Sequence, residues 1–194
     1  MDATYFFDPA CPFTWRTSRW LTAVAAERDV TVQWRAMSLS ILNGDNTPEQ
    51  YRPMMAASSK ALRLVEALRA DQRQDTIAAF YTELGTRTHD AGTPISDELV
   101  VQAAEAAGVE DAKSVLDDEA WDEAVRESHD TALALAGPGI GSPVLHVEGA
   151  TRGLHGPIIG LESTPELADS LAIWDATVPL MRIDSFFEVK RGRP

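Results

Sequence analysis

Cysteine is nearly absent: Cys11 is the only one in 194 residues. No intramolecular disulfide can close, and no cysteine-based structural zinc site can be built. Basic side chains are also scarce, with 17 Lys and Arg against 30 Asp and Glu and a net charge of −13. A phosphate backbone needs a basic face, so nucleic acid is excluded as a partner class. Long apolar runs are missing too. No stretch approaches the ~20 apolar residues that span a bilayer. Met1-Asp2-Ala3-Thr4 carries no basic segment, and the apolar run after it is too short for a secretory signal. The expectation is a cytoplasmic protein without a membrane partner.

The acidity is unevenly placed. Residues 45–137 hold 19 acidic and 8 basic side chains, a balance of −11, and the rest of the chain is close to neutral at −2. This reads as a solvated, acidic helical surface in the middle of the chain. The histidines, His89, His129, His146 and His155, match no common zinc spacing, and no metal site is expected.

What is present is a pattern of short apolar strands around a helical block. Thr4-Tyr5-Phe6-Phe7 is a buried strand, punctuated by Asp8-Pro9-Ala10-Cys11-Pro12. A helix from about Cys11 to Arg28 follows, and Val30–Met37 then alternates as a second strand. Strand, helix and strand make a parallel βαβ unit. Thr47-Pro48-Glu49-Gln50 reads as a capped helix start, Ser96 as the cap of a helix ending before Gly108, and Asp118–Ala136 as a long helix stopped by Gly137. Pro143–Glu148 and Thr151–His155 form a hairpin, and a last helix begins at Thr164-Pro165-Glu166 with Leu167, Leu171 and Trp174 on its apolar face. The tail 190–194 is expected to fray. The fold class is α/β: a thioredoxin fold, βαβ…ββα, with an all-helical insertion. Its core is expected at 1–44 and 138–194 and the insertion at 45–137.

Cys11 follows a strand and opens a helix. Unpaired N–H groups and the helix dipole there stabilise a thiolate, which is the nucleophilic form. Pro12 suits the first turn. Thr14 lies within reach of Cys11 across that turn, and its hydroxyl can donate to the thiolate. Gly141-Ser142-Pro143 opens the later strand, where proteins of the thioredoxin fold keep a cis-proline facing the thiol; a cis bond before Pro143 would leave the Ser142 backbone free to pair with an extended substrate or thiol peptide. Phe13 and Trp15 flank the thiol and would give an aromatic rim for a flat or apolar substrate. His129 is a weaker candidate for the insertion's side of the cleft.

Phe7-Asp8-Pro9-Ala10-Cys11-Pro12 with Trp15, together with Met37-Ser38-Leu39-Ser40-Ile41-Leu42-Asn43, Pro48-Glu49-Gln50-Tyr51-Arg52 and Gly141-Ser142-Pro143, resembles the DsbA-like mycothiol-dependent nitroreductases of actinobacteria. The resemblance implies a nucleophilic Cys11, mycothiol or a glutathione-like thiol as co-substrate, no tightly bound cofactor, and Asn43 and Tyr51 near the pocket. The family pattern is usually Cys-Pro-x-Cys; here the fourth position is Thr14. The expectation is therefore a monothiol thiol-disulfide oxidoreductase acting on a disulfide or a small electrophilic or nitro substrate. Two readings stand beside it: a kappa-class-like thiol transferase or isomerase, in which the bound thiol is the nucleophile, and a non-catalytic thioredoxin-fold binding protein. Homodimerisation stays open.

Overall fold

A computed structural model describes residues 1–192; the last two residues of the expected frayed tail lie outside it. Strand β1 (Asp2–Phe7) is buried on both faces, as its continuous apolar run requires. It pairs in parallel with β2 (Thr31–Ala36) and antiparallel with β3 (Val144–Val147), and β3 pairs with β4 (Leu154–His155), giving the order β2-β1-β3-β4. Tyr5 therefore sits between Trp34 and Leu145 across the sheet. Helix α1 (Pro12–Arg28) connects β1 to β2 and ends at Asp29, which takes the left-handed conformation and donates its N–H to the Ala25 carbonyl.

Between β2 and β3 run α2 (Leu39–Asn43), α3 (Arg52–Ala70), α4 (Gln74–Gly85), α5 (Asp97–Ala106), α6 (Ala112–Asp117) and α7 (Trp121–Ala136); α8 (Leu167–Met181) closes the chain. Tyr5, Phe7 and Trp34 face a large core shared with α1, α3, α4 and α5, in which Phe7 stacks on Tyr81 at 4.2 Å. Phe6 points the other way, into a smaller cluster with Met37, Ala132 and Val144 under α7. Alternation along one strand thus anchors helices to both faces of the sheet.

Strand β2 is an edge, and its free backbone groups would be costly if left unpaired against protein. The helices supply the partners. Gln74 Oε1 accepts from Trp34 N at 2.7 Å, Glu66 Oε1 accepts from Ala36 N at 2.9 Å, and Ser128 Oγ donates to the Ala36 carbonyl at 2.8 Å. Glu66 is fully buried and also accepts from Arg69 Nε at 2.5 Å. His129, a candidate for the cleft, is instead buried with Nδ1 accepting from Ser38 N at 3.2 Å. It fixes the turn after β2.

Several boundaries shift for identifiable reasons. The helix expected from Pro48 begins only at Arg52, after a single 3-10 turn at Glu49–Tyr51, and Thr47 makes no side-chain cap. Pro53 is tolerated only in a first turn, so a helix begun at Pro48 would have broken there. The helix expected from Asp118 begins at Trp121, because Asp118 Oδ1 accepts from Ala120 N and holds a turn. Strand β4 is only two residues long: Gly153 N donates to the Leu135 carbonyl of α7 rather than to the ladder. Leu167, expected on the apolar face of the last helix, is exposed at its open first turn, whereas Trp174 is buried. Ser96 caps α5 as expected, accepting from Leu99 N at 3.2 Å.

Candidate active site

The β1–α1 junction is built around Asp8. Its carboxylate is buried and accepts from Ala10 N at 2.8 Å, Leu39 N at 2.7 Å and Ser58 Oγ at 2.5 Å. Its backbone carbonyl accepts from Cys11 N at 3.1 Å. One side chain thus ties the loop before Cys11 to α2 and α3. Burial pushes the Asp8 carboxyl up, and the Ser58, Leu39 and Ala10 donors oppose that. Local sequence marks Asp8 as part of a turn, whereas its buried role depends on Ser58, fifty residues away.

Cys11 is the N-cap of α1, with extended backbone, and is 8% exposed. Its thiol lies 3.8 Å from the Ser142 carbonyl, and the Ser142–Pro143 bond is cis. Thr14 Oγ1 and Ser142 Oγ are 2.7 Å apart, both residues buried. The Thr14 carbonyl accepts from the Tyr5 hydroxyl at 2.7 Å, which locks the first turn of α1 onto β1. Cys11, Pro12, Thr14, Ser142 and Pro143 are therefore brought together.

The thiol's acidity differs from the sequence expectation of a depressed pKa. Burial pushes Cys11 up, and this outweighs the Thr14 hydroxyl and the Thr14 and Phe13 backbone N–H groups, which pull it down; the nearby Asp8 charge adds to the rise. Thr14 is the side chain that most favours the thiolate. The variant Thr14→Val, nearly isosteric, is expected to raise the Cys11 pKa further and to slow its alkylation by iodoacetamide at pH 7; unchanged alkylation would show that Thr14 does not contact the thiolate.

Cys11 and Pro12 open onto a cleft of about 570 Å³. Its walls come from Leu39, from Tyr51, Met54 and Met55 at the start of α3, and from the segment Thr88–Ile95. Of the aromatic residues expected to rim the thiol, Trp15 is buried in the core, stacked on His89 at 6.2 Å and edge-on to Tyr81 at 5.5 Å, with Nε1 donating to Asp90 at 3.0 Å. Phe13 is half-buried, and neither residue lines this cleft. Asn43 lies at the end of α2, before a 3-10 turn, and is not in the cleft wall; Tyr51 is, and it is 45% exposed. The insertion thus supplies apolar wall through Tyr51, Met54, Met55, Pro94 and Ile95. Helical periodicity around Pro53 carries no signal that Met54 and Met55 face a thiol.

His89 was also unassigned by sequence. It sits on a single π-helical turn, Thr86–Asp90, that continues α4. Such turns recur at functional sites. Its Nε2 donates to the Pro9 carbonyl at 2.8 Å, and burial pushes its pKa down.

Comparison with known proteins agrees with this geometry. Among solved structures, the chain is similar to the probable DsbA oxidoreductase SCO1869 from Streptomyces coelicolor, with a TM-score of 0.59, 19% identity, and 92% of this chain and 90% of that one covered. It is also similar to the cytosolic disulfide reductase DsbM from Pseudomonas aeruginosa, with a TM-score of 0.60, 15% identity, and 93% and 100% covered. These likenesses establish the thioredoxin-type fold of DsbA-like proteins. The protein Rv2286c of Mycobacterium tuberculosis, itself uncharacterized, is 27% identical over 97% of this chain and 81% of its own length. A family model described as "Mycothiol-dependent nitroreductase Rv2466c" matches residues 10–191, which run from the residue before Cys11 through the insertion, Ser142 and α8. The chain belongs to the Rv2466c-like family of mycothiol-dependent nitroreductases, thiol-dependent oxidoreductases on a DsbA-like fold.

Proposed function

We propose that Cys11 runs a one-thiol exchange cycle fed by mycothiol or a similar low-molecular-weight thiol, in the cytoplasm. The carrying observation is the position of Cys11: it caps α1, lies against the Ser142 carbonyl, and opens onto an apolar cleft. Thr14 stands at the fourth position of the motif, so no second protein thiol is available to resolve a mixed disulfide.

The cycle balances as follows. The Cys11 thiolate attacks one sulfur of a substrate disulfide, R–S–S–R′; the Cys11–S–S–R bond forms and R′ leaves as a thiolate that is then protonated. A small thiol attacks the R sulfur, and Cys11 leaves as the thiolate. When R is itself the small thiol, one mixed disulfide and one thiol yield R′–SH and the symmetric disulfide. A nitro compound would consume two thiols for two electrons, giving the nitroso compound, water and a disulfide. Ser142 orients the Thr14 hydroxyl, and Thr14 with the first N–H groups of α1 holds the developing negative charge on Cys11. The cleft's thioether and aromatic wall suits an apolar group on the substrate. That a structure of the similarly folded DsbM was solved with glutathione supports a small thiol as the co-substrate. A reducing compartment suits a lone exchangeable thiol.

The burial that raises the Cys11 pKa favours one other reading: a bound small thiol attacks the substrate directly, and Cys11 only orients it. Steady-state kinetics separate the two. With mycothiol and a small mixed disulfide varied together, the Cys11 cycle gives parallel double-reciprocal lines, because a covalent enzyme form links the two half-reactions. Intersecting lines would replace it with the bound-thiol reading, and absence of turnover would leave a binding protein.

A further inference from the structure

Resting on the exchange cycle above, we propose that His89 is the proton acceptor for the small thiol that releases Cys11 from its mixed disulfide.

His89 and Cys11 line the same cleft. The Pro9 carbonyl, two residues before Cys11, is only an acceptor, so the ring nitrogen 2.8 Å from it, Nε2, must carry a proton. In the neutral ring, Nδ1 is then the free base. Among the described residues Nδ1 has no hydrogen-bond partner, and it is not sealed from solvent. Burial keeps the ring neutral near pH 7, so it is loaded to accept rather than donate. The groups around it are known. Asp90 on its own turn favours the charged ring, and Arg16 from α1 disfavours it; Arg87 lies on the same turn, and Asp8 and Cys11 lie on the loop that His89 bonds. Trp15 stacks on one face of the ring and fixes its plane. The neighbouring Thr88, also in the cleft wall, has a buried hydroxyl with no partner among the described residues, so this wall holds unused polar capacity beside an otherwise apolar surface.

The step moves one proton and one electron pair. The S–H bond of the incoming thiol breaks and its proton goes to His89 Nδ1. The freed sulfur bonds the outer sulfur of the mixed disulfide, and the Cys11–S bond breaks with its electron pair left on Cys11. The proton on His89 then returns to solvent or to the Cys11 thiolate.

The test starts from the Cys11 mixed disulfide formed with 2-hydroxyethyl disulfide. Its release by 2-mercaptoethanol is followed by quenching and intact mass, from pH 7 to pH 10, for wild type and His89→Gln. Glutamine keeps an N–H for the Pro9 carbonyl and removes the base. At pH 7 the variant is expected to release Cys11 about 10-fold more slowly, because only a very small fraction of an alkyl thiol is ionised there. The gap should close towards pH 10, where the thiol ionises in solution. Equal rates at all pH values would overturn the proposal. So would a constant deficit at every pH, which would mark His89 as a structural support of the Pro9 loop. Failure of wild type to form the mixed disulfide at all would instead overturn the Cys11 cycle, and His89 with it.

Discussion

Replacing Cys11 by serine is expected to cut thiol exchange by about 10³-fold or more, the scale on which removal of a catalytic nucleophile acts. Serine fits the site: it is slightly smaller than cysteine, and the Ser142 carbonyl, 3.8 Å from the thiol, is too far to hold its hydroxyl in a hydrogen bond. The fold should survive, with a melting temperature close to that of wild type. What is lost is chemistry. A serine hydroxyl is not ionised by the first turn of α1, and it forms no bond that a thiol can later break. The measurement is turnover of a mixed disulfide with mycothiol, alongside thermal unfolding of the same samples. Retention of a large part of the activity with unchanged stability would transfer the nucleophile's role to the bound thiol.

The second large effect is structural and runs against a common expectation. Gly85 ends α4 with ordinary helical geometry, a place where alanine usually stabilises a helix by about 1 kcal/mol. Here a Cβ would lie 2.2 Å from Trp15 Cε3 and 2.3 Å from Cζ3. The indole cannot retreat. It is buried, with Tyr81 against its edge, His89 stacked on it and the Arg19 guanidinium 4.2 Å from its ring centre. Overpacking of this kind costs about 1–3 kcal/mol or more, and the loss should sit at or beyond the upper end. At ~2–4 °C per kcal/mol for a chain of this size, Gly85→Ala should lower the melting temperature by roughly 6–12 °C. The displaced indole also bears on His89, so exchange should slow as well. A melting temperature equal to or above wild type would show that the Trp15 pocket is looser than its contacts imply.

Gly85 illustrates what a sequence conceals. A glycine among helix formers carries no mark that an indole seventy residues earlier rests on its missing side chain. The same holds for Asp8, whose role depends on Ser58 and Leu39 N, for Glu66, Gln74 and Ser128, which serve the edge of β2, and for His129, which serves the turn after it. These are pairings of side chains with distant backbone, and local propensity and periodicity are blind to them. Local signals worked where the cause is local. Continuous apolar residues marked β1, alternation marked β2, Ser96 marked the start of α5, and Gly137 marked the end of α7. Cys11 could be placed at a helix start because Pro12 and the strand before it are adjacent in the chain. Its acidity could not be read the same way: the helix terminus is local, whereas the burial that overrides it comes from the whole fold. Trp15 was misassigned to the rim for a related reason. Proximity to Cys11 in sequence says nothing about which side of α1 the insertion covers, and α4 with its π-helical turn covers the side that holds Trp15.

The charge pattern fits the same division. The acidic side chains of the middle segment include Asp97, Asp117 and Asp122, which pair with Lys60 and Arg63 on the outer side of α3. They lie outside the wall of the cleft that reaches Cys11. Exposed pairs of this kind contribute little stability. These pairs place their acidity on the surface of the insertion, away from the cleft.

The claim on which the rest depends is that Cys11 exchanges with a small thiol in the folded protein. Intact-mass spectrometry after incubation with mycothiol disulfide tests it directly. One added mycothiol per chain, located on Cys11 by peptide mapping and removed again by excess mycothiol, is the expected result. A native chain that stays unmodified, while the unfolded chain takes up one mycothiol under the same conditions, would show that Cys11 is a sealed core thiol and would contradict the exchange cycle.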